Sequence, residues 1–404
     1  MPAPTLNVDE IPSINDILTT RIPIPPDIHS MILPQNNLCS SDLIRFCLPP
    51  ANCNDTPLLL NQPGGVFSKS PSLLDAENAL ILVGRPIPTY DELQAVIQVD
   101  KLVPALDAGH VSICYPIESV TVASLKLPMW VLTYWQEVHN ILRVKTQWGA
   151  AISWLEKHDT GKDDVFSVAV EMIKTWPWNV PLPKSMGVNP ATLPSYCGSQ
   201  WLAAEHMDQM GEVLAHSISD ASIAILPNSF SVKLLEIFRN HLTSNTAYHL
   251  SRGIQHLLST GEAVRAGNVE KLAFSVGVQV LGTGCVLPNT WSEANHWVAV
   301  VISIDPRVLY YGDSLALSPP AELTDMVEWW LQQHDIMVAG DLERQDMACT
   351  KQVDGFSCSI LSMNAMAHLL RPDVYPLLSP TECDRARAQH LVDIMRYLSR
   401  VSQG

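Results

Sequence analysis

Four residues have types and spacing that suit nucleophilic catalysis: His296, Asp313, Gln352 and Cys358. A thiol is weakly ionised at neutral pH, so it needs a helix N-terminus or a nearby base to become a thiolate. Cys358 meets the first need, because it lies at the expected start of a helix over Ser357–Leu370, just after the turn-like Val353-Asp354-Gly355-Phe356. Free N–H groups at such a helix start attract an anion and can donate to an oxyanion. His296 opens a β-branched apolar run, Trp297–Ile304, and Asp313 follows the next short run, Val308–Tyr311. The short turn Asp305-Pro306-Arg307 joins the two runs, so they are expected to be antiparallel neighbours. A His that begins one strand and an Asp that ends the next then meet at one end of the sheet. That is the pairing in which Asp fixes the imidazole tautomer and orientation. Gln352, six residues before Cys358, supplies an uncharged donor for a developing oxyanion, a contribution of about 3 kcal/mol in comparable sites. Each residue alone is weak evidence; the order His, Asp, Gln, Cys at these spacings is far more specific.

The runs Asn295-His296-Trp297-Val298-Ala299-Val300, Tyr311-Gly312-Asp313-Ser314-Leu315 and Gln352-Val353-Asp354-Gly355-Phe356-Ser357-Cys358 resemble the ubiquitin-like-protein-specific (SUMO) cysteine proteases, a group related to adenovirus protease. That pattern is H-W, a D-S about 17 residues on, and Q-x-x-G-x-x-C, and the spacings here are 17 and 6. Trp201-Leu202 resembles the Trp-Leu at the first helix of that catalytic domain. The resemblance covers roughly residues 195–400 and nothing in residues 1–190. It implies a papain-like, adenain-like domain with Cys358 as nucleophile, His296 as base, Asp313 as its orienter, and Gln352 with the Cys358 backbone N–H as oxyanion hole. It implies further that Trp201 and Trp297 line a tunnel for the Gly-Gly tail of a ubiquitin-like modifier. Two indole walls would leave no room for a side chain, which selects glycine by exclusion. The scheme calls for no cofactor and no metal.

Two positions depart from the family pattern. Ser359 stands where the family usually has Gly after the Cys. Ala203-Ala204 stand where it usually has Asn or Asp and then Asp or Glu. These departures support a second reading, a catalytically weak module that binds ubiquitin-like proteins. A third is an acyltransferase of the same clan, although no separate acyl-donor site is visible.

The elements that must position these residues fall in three stretches. Residues 1–75 are rich in Pro, Asn, Ser and Leu and are expected to form an irregular arm, since Ile22-Pro23-Ile24-Pro25-Pro26 is no helix interior. Residues 76–190 are expected to be mainly helical. Apolar residues recur at helical spacing from Leu127 to His158, and a second helix is expected after Asp163-Asp164. Six of the eleven tryptophans lie between Trp130 and Trp178 and are read as packing. The prolines of Pro177–Pro190 mark a boundary. Residues 195–404 are expected to be the catalytic domain. Helices are expected over Trp201–Ser217, within Phe230–Thr260, over Ala321–His334 and over Ser357–Leu370. A strand is also expected at Ala273–Leu281. Ser379-Pro380-Thr381-Glu382 reads as a capping box with Pro at the first helical position, opening a last helix to about Val401. The class is therefore α+β, a small mixed sheet flanked by helices, with a mainly helical N-terminal region.

Composition limits the partners. The 404 residues carry 25 basic and 41 acidic side chains, a net charge of -16. No basic stripe is visible, so nucleic acid and anionic membrane are not expected partners. Apolar runs such as Ala79–Val83 are too short to span a bilayer. Met1–Glu10 does not read as a signal peptide. The nine scattered cysteines lack a C-x-x-C pair and suit reduced thiols; Cys39, Cys47 and Cys53 match no zinc pattern. The sequon Asn54-Asp55-Thr56 is read as coincidence. The expected setting is intracellular, in nucleus or cytoplasm.

Overall fold

The computed structural model describes residues 13–51, 59, 65–72, 74, 78–116, 124–161, 164–179, 190–244, 246–338 and 340–401. Cys53, the sequon at 54–56, Asp163 and most of the 177–190 proline segment lie outside the described residues. The chain divides into two compact units, Met1–Gly149 and Ala150–Gly404. This division falls inside a long helix, earlier in the chain than the proline-rich segment.

The first unit begins with three short helices, α1 (Ile14–Arg21), α2 (Pro26–Ile32) and α3 (Ser40–Arg45). The stretch read as an irregular arm is thus partly helical, for local reasons. Ser13 and Asp16 form a reciprocal capping box at the start of α1. Pro26 opens α2 at a position where its missing N–H costs nothing. Then follow β1 (Phe67–Ser68), α4 (Tyr90–Ile97), α5 (Val99–Asp107), β2 (Ser112–Pro116) and β3 (Ser124–Pro128). The strands form an antiparallel sheet in the order β1-β2-β3, which sequence periodicity did not anticipate. Helix α6 runs over Val131–His158. It starts four residues later than expected, because Leu127 pairs with Ile113 in the sheet. Trp135 and Trp148 are buried, in keeping with a packing role.

The second unit continues with α7 (Val165–Thr175), α8 (Ala204–Ile218), β4 (Ile223–Ile225), α9 (Asn228–Ser244), α10 (Gln255–Arg265), β5 (Lys271–Leu281) and β6 (Gly284–Val286). Next come β7 (His296–Ser303), β8 (Val308–Gly312), α11 (Ala321–Gln333), β9 (Glu343–Asp346), α12 (Cys358–Leu370) and α13 (Cys383–Val401). The sheet order is β4-β5-β7-β8-β9, with β6 on the end of β5. Its pairs at either edge, β4 with β5 and β8 with β9, are parallel; the inner pairs are antiparallel. The architecture is the expected α+β one, a mixed sheet flanked by helices.

All eight residues of β7 are buried. A strand covered on both faces reads as a continuous apolar run, and the pleat sends alternate side chains to opposite faces. Val298, Val300 and Ile302 join one core with Phe230 and Leu234 of α9, Leu257 of α10 and Trp330 of α11. The small Ala299 alternates with them, on the side where α12 packs. A second close approach holds α10 against the end of α11. A Cβ on Gly261 would fall within the His334 ring, so only glycine fits there.

Candidate active site

His296 is the first residue of β7, and its place depends on pairing. Val278 lies opposite it on β5. Asn295, just before, extends that pairing by donating its N–H to Val278 O (3.0 Å) and accepting Val280 N–H on its side chain (2.8 Å). On the other side of β7, Ala299 lies opposite Gly312, the last residue of β8. Asp313 therefore emerges beside His296, and His296 Nε2 lies 2.6 Å from Asp313 Oδ1. Gly312 matters here, since a Cβ on it would meet Met347 Sδ at 3.0 Å.

The Asp313 carboxylate is oriented by the turn that follows it. Oδ1 accepts the Leu315 N–H (2.8 Å) and Oδ2 the Leu317 N–H (3.1 Å). Both side chains of the pair are nearly inaccessible, 3% for His296 and 2% for Asp313. Burial pushes the His296 pKa down. Hydrogen bonds and charge from Asp313 and Cys358 outweigh it and raise the imidazole to about 9. His296 thus touches both the carboxylate and the thiol, and favours the protonated form.

Cys358 is the first residue of α12 and is buried. Its own N–H is among those that a helix start leaves free. No Ser357 side-chain bond caps the helix; Asp354 holds the entry instead. Asp354 Oδ1 accepts the N–H groups of Phe356 (2.9 Å) and Ser357 (2.8 Å), and Oδ2 accepts the Ser357 hydroxyl (2.7 Å). Burial alone would raise the Asp354 pKa, and these bonds override it and keep the carboxyl below its usual range.

Gln352 lies in the same loop. Its N–H donates to Ser314 O (2.8 Å), and its side-chain Oε1 accepts the Ser314 hydroxyl (3.0 Å). Its Nε2 donates to Asp354 O at 2.6 Å and approaches Asp354 Oδ1 at 3.3 Å. In this state the amide serves the loop; donation to an oxyanion requires releasing one of these bonds.

Trp297 is buried and donates its indole N–H to Leu202 O at 2.7 Å. Trp201 lies on it, with ring centroids 5.3 Å apart and planes 11° from parallel. Two indoles so arranged are in offset contact, and no peptide passes between them. The expected tunnel is closed in this structure, and a tail would meet the outer face of Trp201 or displace it. Trp201 also precedes α8 rather than opening it. The helix begins at Ala204 because His206 Nδ1 takes the Ala203 N–H (3.1 Å). Ser359 is fully buried, and its hydroxyl has no protein partner.

The structure thus brings His296, Asp313 and Cys358 together, with Gln352 on the loop leading to Cys358 and the two tryptophans stacked. Sequence reasoning assigned no role to Ser314, Asn295 or Asp354. A signal for Asp354 was present, since Asp-x-x-Ser before an apolar helix is a local side-chain cap. Among the described residues there is no cluster suited to a metal ion, and no helix is long and apolar enough to cross a membrane. Eight of the nine cysteines are described, and all eight are free thiols.

Comparison by shape finds solved structures similar to part of this chain. The SUMO protease Ulp1 with its catalytic cysteine oxidised to a sulfonic acid is 14% identical, covering 59% of this chain and 97% of its own, with a TM-score of 0.44. The Ulp1 protease domain in complex with Smt3, the yeast ortholog of SUMO, is 18% identical over 52% of this chain and 83% of its own, with a TM-score of 0.37. The Chlamydia abortus effector ChlaDUB is 18% identical over 51% of this chain and 93% of its own, with a TM-score of 0.29. No family model matches the chain. No curated protein matches it either.

Proposed function

We propose that residues 195–401 form a thiol peptidase or isopeptidase that cleaves after the C-terminal Gly-Gly of SUMO or a related ubiquitin-like modifier. The observation that carries the reading is the buried His296–Asp313 contact of 2.6 Å, with Cys358 among the groups that keep the imidazole protonated. A thiolate–imidazolium pair at a helix start is poised for attack on an acyl carbon. Cys358 Sγ adds to the scissile carbonyl, and the C–N bond breaks as His296 passes its proton to the leaving amine. Water, deprotonated by His296, then hydrolyses the thioester and frees the thiol. Asp313 holds the imidazole throughout. The Cys358 N–H and a released Gln352 amide would face the oxyanion.

The closed Trp201–Trp297 stack and the engaged Gln352 amide favour a second reading, a module that docks such modifiers with little turnover. One experiment separates them. The full chain and Cys358→Ala are each incubated with a panel of ubiquitin-like proteins carrying a C-terminal thiol-reactive warhead. A covalent band shift with one modifier, absent in Cys358→Ala, is the expected outcome. No shift with any modifier, in protein shown to be folded, sinks the peptidase reading.

A further inference from the structure

Helix α12 carries Cys358 at its first residue and, further along, forms one wall of a cavity of about 300 Å³. Met210 and Leu214 of α8 and Met363 and Ala367 of α12 give the cavity its apolar lining, and α13 closes the third side. None of the residues assigned to the thiol site lines it. A largely apolar cavity of this size with a few convergent polar groups has the form of a small-molecule site.

Most polar groups at its wall are spent within the protein. Asn364 donates to Pro376 O (3.0 Å) and accepts the Leu378 N–H (2.9 Å). Glu382 accepts the N–H and the hydroxyl of Ser379 in the capping box. Arg385, the one Lys or Arg at the wall, is paired with Asp164. Arg387 of α13 is fully buried and spends its Nη2 elsewhere, on Gln200 O (2.6 Å) and Phe356 O (3.1 Å).

Two side chains of α13 at the wall are left under-used. His390 has no hydrogen-bond partner among the described residues. Asp393 accepts one bond, from Gln389 Nε2 (2.9 Å), and has no ion pair among the described residues. The two lie three residues apart, so they share one face of the helix. Burial raises the Asp393 carboxyl; burial and the Arg387 charge lower His390 to about 4. At neutral pH the wall therefore presents a carboxylate short of a cation beside an uncharged imidazole with an acceptor nitrogen to offer.

We propose that this cavity binds a small cationic amphiphile: an amine whose ammonium group sits between Asp393 and His390 and whose apolar body lies against Met210, Leu214, Met363 and Ala367. An anionic head group would face both Glu382 and Asp393, and a neutral one would leave Asp393 without a counter-charge. The site is independent of the thiol chemistry and of the peptidase reading.

The test is calorimetric titration of the full chain with three molecules that share one body: n-octylamine, 1-octanol and octanoate. Octylamine is expected to bind at one site, about tenfold or more tighter than the other two. Asp393→Asn keeps an acceptor for Gln389 and removes the charge; it is expected to bring octylamine down to the level of octanol. Methionine-methyl NMR spectra of the full chain are expected to show octylamine shifting Met210 and Met363. Cys358→Ala is expected to bind octylamine as wild type does. Octanoate binding as tightly as octylamine overturns the proposal, and so does no uptake of any of the three up to about 1 mM. A folded Asp393→Asn with wild-type affinity for octylamine overturns it, as do unmoved Met210 and Met363 resonances. Loss of binding in Cys358→Ala would put the amine at the thiol and overturn it too. If Asp393→Asn does not fold, the head-group comparison and the methionine spectra of the wild-type chain decide.

Discussion

His296 and His334 are buried to nearly the same degree, 3% and 6% exposed, yet are pushed toward opposite charge states. His334 Nε2 meets the Tyr248 hydroxyl at 2.9 Å, and Trp330 donates its indole N–H to the same oxygen at 3.1 Å. Burial, helped by the Arg265 charge and opposed by Glu262 and Asp335, lowers the His334 pKa. His296 is raised to about 9 because its partner is a carboxylate held by two backbone N–H groups. Burial alone strips a proton from imidazole; an oriented anion returns it. The neutral ring is a packing piece seated on Gly261, and the protonated ring is a chemical one.

The two histidines leave opposite signatures in stability against pH. The His296 proton stabilises the fold fully below the unfolded value of about 6.5, and that stabilisation is lost as pH rises through about 9. The His334 ring resists protonation, so it costs stability as pH falls below about 6.5.

Asp313→Asn is the substitution expected to blur this contrast most. The amide cannot return the proton, so the His296 midpoint should fall well below 9, as followed by NMR titration. On the proposed peptidase reading, turnover of a modifier substrate should drop by about 10²–10⁴-fold. A His296 midpoint unmoved by the substitution would deny Asp313 its role.

Gly261→Ala tests the other ring. The added methyl must displace His334, and the expected loss is about 1–3 kcal/mol in urea unfolding, with iodoacetamide alkylation of Cys358 at its wild-type rate. A change in that rate would mean the two clusters are coupled. The smallest effect is expected from Tyr248→Phe, which leaves His334 and the Trp330 N–H without their shared oxygen. It should cost about 1–2 kcal/mol by thermal unfolding and leave thiol reactivity unchanged. A variant as stable as wild type would show that the hydroxyl contributes nothing to packing.

Legibility followed locality. β5, β7 and β8 were read within two residues of their observed ends, because β-branched apolar runs bounded by turn residues are a local signal. The capping box at Ser379 formed as read, with the α-helix itself starting at Cys383. By contrast, β9 is the exposed Glu343-Arg344-Gln345-Asp346, a charged edge strand with no apolar alternation. It forms only because β8 offers a free edge beside it. α8 starts at Ala204 rather than Trp201, because a histidine side chain caps it where no Ser, Thr, Asn or Asp marks the place.

The sequence by itself determined the central strands, the helix that begins at Cys358, and the spacings that let His296, Asp313, Gln352 and Cys358 be picked out together. Those depend on residues adjacent along the chain and on a two-residue pleat. Only the tertiary structure decided the closed contact of Trp201 with Trp297, the engagement of Gln352 by Asp354, and the burial of Arg387 between two loops. Arg387 lies 187 residues from Gln200 and 31 from Phe356. Nothing local in a sequence marks which arginine will be enclosed, because that depends on which distant carbonyls the folded chain brings to its donors.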